Sequence, residues 1–166
     1  MTTHTINLGN IKVTNAIASL INSAFETGLN PAWYEVESLN DNGFLDASFE
    51  DSNLETPSKK PAKTDWSVKV RLVDDDGDPV DDMDYTVVTP ALACQRLNKM
   101  ANDTKLKFLR SKADAFLRYL VALDEATQLG RGMDYAEQIL FDEYEPDGVH
   151  DDALTQYIVF GDVIFG

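Results

Sequence analysis

Acidic side chains that could bind a cation or a basic partner crowd one short stretch of the chain. Residues 74–84 contain seven aspartates and no basic residue. Calcium prefers several carboxylates within one loop, but Gly77 directly follows Asp76 and no glutamate closes the loop as in the helix–loop–helix calcium motif. The glycine and aspartates between Asp74 and Pro79 are also typical of a hairpin turn. The sequence therefore favours an exposed acidic hairpin tip, with a calcium site as the alternative.

Other groups that could do chemistry are few. The single cysteine, Cys94, cannot form an internal disulfide and falls in a predicted amphipathic helix, where we expect a small buried residue rather than a nucleophile. A zinc site built from His150 with Asp151 and Asp152 would lack further soft ligands, and the only other histidine is His4. No glycine-rich phosphate loop, nucleophile elbow or pair of zinc-binding histidines is present. We predict no enzyme activity and no cofactor.

The balance of charge indicates what kind of partner the chain attracts. Twenty-nine acidic residues against 14 basic ones give a net charge of −15, and residues 132–166 hold nine acids and no base. Such a field repels nucleic-acid phosphates and anionic membranes and attracts basic surfaces. We therefore expect a protein partner with a basic surface, no direct nucleic-acid binding and no membrane binding. The alternative is that the acidity only keeps the protein soluble.

Two acidic patches are the candidate partner-binding residues. The first is the predicted hairpin: Asp74, Asp75, Asp76, Asp78, Asp81 and Asp82. The second lies in the C-terminal acidic block: Asp142, Glu143, Glu145, Asp151 and Asp152. Basic residues instead follow one predicted long helix: Lys105, Lys107, Arg110, Lys112 and Arg118. We expect these bases to pair with the acidic blocks within the fold, or to form a homo-oligomer contact through opposite charge, rather than to bind nucleic acid.

The first half of the chain predicts a helix and a small antiparallel sheet that carries the hairpin. Apolar residues spaced by three and four predict a helix from Thr14, as its cap, to Gly28. Aromatic and β-branched residues favour a strand from Trp33 to Leu39. Alternation predicts a strand from Trp66 to Val73, with Val80 to Val88 as its antiparallel partner. We expect residues 50–65 to form a mobile loop and Met1 to Asn10 to be poorly ordered.

Helices dominate the second half. We predict one helix capped by Thr89 and ending near Met100, a long one from about Thr104 to Gln128, and a shorter acidic one from Met133 to Tyr144. The apolar C-terminal segment predicts a core-packing helix, capped by Asp151 or Asp152 and stopped by Gly161, then a strand from Val163 to Phe165. The expected fold is α+β, with a small antiparallel sheet covered by several helices in one domain, residues 1–166.

Three segments of the chain, taken in order, resemble segments of a known family. They are AFETGLNPAWYEV, YTVVTPALACQRLNKMA and the closing QYIVFGDVIFG. Together they resemble a family of small accessory proteins of tailed bacteriophages and prophages that share a C-terminal QYxxFG(D/E)xxFG motif. The polar loop and the helices from Lys105 to Tyr144 have no counterpart in this resemblance. The resemblance implies a phage protein located in the cytoplasm of a bacterial host, and it implies no catalytic residue.

The charge pattern and the resemblance together suggest two hypotheses about function. The first is an acidic protein that inhibits a host nucleic-acid-handling or defence protein, of the anti-restriction or anti-CRISPR type, by presenting carboxylates in place of DNA phosphates. The second is a phage structural or assembly protein whose blocks of opposite charge mediate self-association. Apolar runs in the chain are too short to span a membrane, and the first twenty residues lack the features of a signal peptide.

Overall fold

The protein is an α+β structure in which helices cover a three-stranded sheet. A computed structural model describes residues 3–26, 34–37, 43–50, 64–74, 76–80, 84–130 and 132–162. In chain order the elements are α1 (Ile11–Glu26), β1 (Tyr34–Val36), α2 (Phe44–Glu50), β2 (Val68–Leu72), β3 (Thr86–Val88), α3 (Pro90–Ala101), α4 (Lys107–Leu129), α5 (Asp134–Gln138), a π-helix (Ile139–Tyr144) and α6 (Gly148–Phe160). The predicted fold class is confirmed.

The sheet is antiparallel with β2 at its centre. Tyr34 of β1 lies opposite Leu72 of β2, and Val68 of β2 lies opposite Val88 of β3. The valines and the leucine of β2 are buried, while Lys69 is exposed between them, which is the alternation that the sequence predicts for a strand with one face on the core. Strand β3 is shorter than predicted, because the regular ladder begins only at Thr86.

One tryptophan joins the sheet to the first helices. Trp66 is fully buried just before β2, and its indole nitrogen donates a hydrogen bond of 3.0 Å to the backbone oxygen of Thr14 in α1. Its ring meets the ring of Phe44, at the start of α2, edge to face at 5.2 Å. Trp66 therefore holds three elements in place, although neither α2 nor this contact was predicted from the sequence.

The last helix, α6, lies inside the protein. Every residue from Asp151 to Val159 is buried, and α6 contacts α1, α3, α4 and β3. The prediction that the C-terminal apolar segment packs into the core is confirmed, as is the stop at Gly161, which has a φ of 76°. The predicted cap was wrong, because the Asp147 side chain accepts from the backbone nitrogen of Val149 at 2.7 Å and starts the helix earlier.

The N-terminal segment was expected to be poorly ordered, and this was wrong for residues 3–10. The His4 backbone nitrogen donates to Asn98 of α3 at 2.8 Å, and the His4 ring lies 2.8 Å from Asp114 of α4. Asn7 and Asn10 both donate to Asp124, also in α4. These bonds fix the segment across α3 and α4, and α1 begins at Ile11, before the predicted cap.

Several predicted features lie outside the described residues. They are the C-terminal strand from Val163 to Phe165, most of the loop at 50–65, both ends of the strand predicted between Trp33 and Leu39, and the candidate residues Asp75, Asp81 and Asp82.

The long helix was predicted well: α4 runs from Lys107 to Leu129 and ends at Gly130, which has a φ of 63°.

Replacing Trp66 by Phe should lower the free energy of unfolding by about 2–4 kcal/mol, because the change leaves the buried Thr14 carbonyl without its donor and opens a cavity beside Phe44. Urea denaturation followed by circular dichroism measures this. Val87→Thr, at an exposed position of β3, is the control and should change the value by less than about 0.5 kcal/mol. Equal urea midpoints for Trp66→Phe and the unmodified protein would show that Trp66 does not anchor the sheet.

Candidate functional site

The tip of the β2–β3 connection displays carboxylates on an ordered loop. One oxygen of Asp74 accepts hydrogen bonds from the backbone nitrogens of Asp76, at 2.9 Å, and Asp78, at 3.0 Å. Asp74 and Asp78 are also joined through their backbones at 2.8 Å, and Gly77 supplies the positive φ, 82°, that closes the turn. Asp74, Asp76 and Asp78 are all exposed. We call these three residues the hairpin tip.

Basic side chains of the neighbouring strand already have acidic partners. Arg71 forms an ion pair with Glu35 across β1 and β2, and Lys69 pairs with Glu37 at 3.2 Å. The guanidinium of Arg71 also lies 4.5 Å from the centre of the Tyr85 ring. Because these two bases are paired with β1, they leave the charge of the hairpin tip directed at solvent.

The second acidic patch is attached to α4 by two ion pairs. One Arg118 nitrogen donates to both carboxylate oxygens of Glu143, at 2.9 and 3.0 Å. Lys112, which is only 6% exposed, donates to the Glu145 carboxylate at 3.1 Å and to the backbone oxygen of Glu143 at 3.2 Å. Lys112 and Arg118 thus pair with the acidic block as expected. Asp142, Glu143 and Glu145 are all exposed.

The backbone beneath this patch has an unusual conformation. Residues 139–144 form a π-helix, and the backbone nitrogen of Glu145 donates to Leu140 across the wider turn at 2.9 Å. Glu145 then adopts a φ of 58°, a left-handed conformation that costs a residue with a side chain about 1–2 kcal/mol. The contact of Lys112 with both Glu143 and Glu145 holds the chain in this form. The apolar periodicity of the sequence predicted an ordinary helix here and did not reveal the π-helix.

Asp151 and Asp152 do not belong to the exposed patch, which corrects the sequence-based assignment. They are 6% and 4% exposed, because the start of α6 turns them inward. Ser23 of α1 donates to Asp151 at 2.6 Å, and the Tyr144 hydroxyl donates to its other oxygen at 2.5 Å. Asp152 accepts from Gln156 at 2.7 Å. Asp151 therefore joins α6 to α1 and the π-helix, whereas the bond between Asp152 and Gln156 lies within α6.

Burial and hydrogen bonding act in opposite directions on two internal carboxyls. Burial raises the pKa of Asp151 above its usual value, although the bonds from Ser23 and Tyr144 partly offset this. At Asp114 burial again acts to raise the pKa, but hydrogen bonds from His4 and Arg118 outweigh it and lower the pKa. Burial, together with the Asp151 charge, also raises the pKa of Tyr144 well above its usual value.

The remaining candidate groups are occupied by packing. Cys94 is buried, as predicted, and burial raises the pKa of its thiol to about 12, which disfavours a reactive thiolate. The His150 ring packs edge to face on Phe108 at 5.1 Å. Within the described ranges, no three histidine, cysteine or acidic side chains are grouped to hold a metal ion.

One open pocket of about 420 Å³ lies where the N-terminal segment meets the ends of α3 and α6. Its lining residues are Thr3, Asn98, Lys99, Asn102, Asp103 and Tyr157. Asn98 bonds to His4 through both its amide oxygen and its amide nitrogen, and the Tyr157 hydroxyl lies 3.3 Å from Asp103. The polar groups of the pocket therefore mainly join the surrounding elements to one another.

Comparison of the chain with protein-family models, with curated proteins and with solved structures finds no match in any of the three. The arguments about function therefore depend on the chain itself. Among the helices in the described ranges, none combines the length and the apolar character needed to cross a membrane.

The raised pKa of Asp151 predicts how stability depends on pH. Between the unfolded pKa and the raised folded pKa the native state holds a proton that the unfolded state has lost, so the contribution of Asp151 to stability is lost as pH rises. The free energy of unfolding of the unmodified protein minus that of Asp151→Asn should therefore fall as pH rises above about 4, the usual pKa of an aspartate, by about 1.4 kcal/mol per unit of raised pKa. Urea unfolding at low protein concentration measures the difference. A difference that stays constant or grows with pH would contradict the burial argument.

Proposed function

We propose that the protein is a phage-encoded binding protein that inhibits a host nucleic-acid-handling or defence protein, with the hairpin tip occupying a surface on which the host protein binds DNA phosphates. The observation that carries the proposal is the hairpin tip itself. Its three carboxylates are exposed on a loop ordered by its own backbone hydrogen bonds. The resemblance to phage accessory proteins supports a bacterial host as the setting.

Carboxylates on an ordered loop suit this role for a physical reason. A protein that binds DNA presents Lys and Arg side chains to phosphates, and the same side chains form strong charge-assisted hydrogen bonds with carboxylates. Because backbone hydrogen bonds already fix Asp74, binding would order fewer groups than a flexible acidic tail would require. The net charge of −15 also accelerates encounter with a basic surface while it repels DNA.

A second candidate function, in phage structure or assembly, is favoured by one observation. Exposed Lys105 and Lys107 lie at the start of α4, whereas exposed Asp142 and Glu143 lie in the π-helix, which contacts α4. A surface of that kind suits contacts between copies of the chain. This candidate needs no host target.

The proposed function is tested by changing the hairpin tip without changing the loop. In a variant with Asp74→Asn, Asp76→Asn and Asp78→Asn, residue 74 keeps an oxygen that can accept from the two backbone nitrogens. Immobilised protein should capture a nucleic-acid-handling protein from host lysate, and added duplex DNA should displace it. The triple variant should capture at least about tenfold less, because each lost ion pair removes a charge-assisted contact.

The matched control carries the same change in net charge elsewhere: Glu125→Gln, Asp134→Asn and Glu137→Gln, all at exposed positions of α4 and α5. It should capture the target nearly as well as the unmodified protein. Equal capture by the two triple variants would show that only total charge matters. Capture that duplex DNA does not reduce would rule out occupation of a phosphate-binding surface.

A further inference from the structure

An apolar strip on the surface joins the start of α4 to the start of α6. Phe108 in α4 is 59% exposed and Val149 in α6 is 57% exposed, although both are large apolar side chains. The His150 ring lies 5.1 Å from the Phe108 ring, and the Lys112 ammonium lies 5.5 Å from it. Lys112, which is buried beneath these rings, also bonds exposed Glu145, and we call the surface formed by Phe108, Val149, His150 and Glu145 the α4–α6 face.

Basic residues mark one end of the α4–α6 face. Lys105 and Lys107 are exposed beside Phe108, and Arg110 is half-buried. In the described parts of the chain no carboxylate lies within ion-pair distance of any of the three, in contrast to Lys112 and Arg118. Lys105, Lys107 and Arg110 therefore leave a group of positive charges without acidic partners among the described residues at the start of α4.

Acidic residues mark the other end. Arg118, which binds Glu143 of the π-helix, lies about 16 Å along α4 from Lys107, at about 1.5 Å per residue. The Glu143 carboxylate therefore lies about three turns of α4 away from Lys107. The π-helix also carries Phe141, which is 60% exposed. The face thus presents a basic end next to Phe108 and an acidic end that includes a second exposed phenylalanine.

We propose that two copies of this chain associate through the α4–α6 face about a two-fold axis near Lys112. Such an axis places the basic end of each copy opposite the acidic end of the other, and Phe108 opposite the π-helix of the other copy. A second copy fits better than a purely basic partner, because a basic partner would meet Lys105, Lys107 and Arg110 as like charges. This dimer does not depend on the hairpin tip or on a host target.

The test exchanges charges at the two ends. One variant carries Lys105→Glu and Lys107→Glu, and the other carries Asp142→Lys and Glu143→Lys. Glu145 and Asp147 are left unchanged because they hold Lys112 and cap α6. Arg118 keeps Asp114 as a partner when Glu143 is changed. Circular dichroism verifies that both variants fold.

Sedimentation equilibrium over a concentration series should show a dimer of the unmodified full chain. Each charge-reversed variant alone should dimerise at least about tenfold more weakly, since its two ends then carry the same sign. An equimolar mixture of the two variants should form a heterodimer detectable by native mass spectrometry, because each supplies the sign that the other lacks. Phe108→Ser should weaken the dimer through the loss of apolar contact.

The control is Glu125→Lys with Asp76→Lys, which changes net charge by the same amount as the acidic-end variant at two exposed positions outside the face. It should not weaken the dimer. A monomer at every concentration, a dimer indifferent to either reversal, or no heterodimer in the mixture would each overturn the proposal. A monomer whose acidic end binds a basic amphipathic peptide would show that a partner segment, and not a second copy, covers this face.

Discussion

The burial of α6 is the constraint on which the rest of the structure depends. A helix buried along most of its length must pair the carboxylates that it carries, because an unpaired buried carboxylate is costly. Asp151 meets this requirement with donors from Ser23 in α1 and Tyr144 in the π-helix. The hydrogen bonds of one aspartate therefore fix how α1, the π-helix and α6 lie against each other.

This arrangement divides the acidic residues into two groups with different roles. Asp151, Asp152, Asp114 and Asp147 have hydrogen-bond or ion-pair partners inside the fold or cap a helix. Asp74, Asp76, Asp78 and Asp142 point their charge towards solvent. The acids of the first group are committed to contacts within the fold, so a count of acids along the sequence overstates the charge available for binding.

Helices with a regular apolar stripe could be predicted from the sequence. α3 was found with its cap at Thr89, α4 was found over most of its length, and β2 was found by its alternation, because these patterns are local. Order in the N-terminal segment was missed because His4 depends on Asp114, far along the chain. The short helix α2 carries too few residues for a periodic signal.

Only the part of the candidate site that depends on residues close together in the sequence could be predicted. The hairpin tip follows from local turn chemistry, and the structure places Asp74, Asp76 and Asp78 there as expected. Asp151 was assigned to the surface because its partner Ser23 is distant in sequence, and a run of acids suggests exposure. Exposed Phe108 was also assigned no role, because an apolar residue in a helix pattern predicts core. Its basic neighbours in sequence were the available signal.

The central claim is that displayed carboxylates, and not acidity in general, engage the phosphate-binding surface of a host protein. The most direct test is the structure of the complex with the captured host protein. The account predicts that Asp74, Asp76 and Asp78 lie within about 4 Å of Lys or Arg side chains with which the host protein binds DNA. A complex in which the hairpin tip remains in solvent, while another surface contacts the host protein, would contradict it.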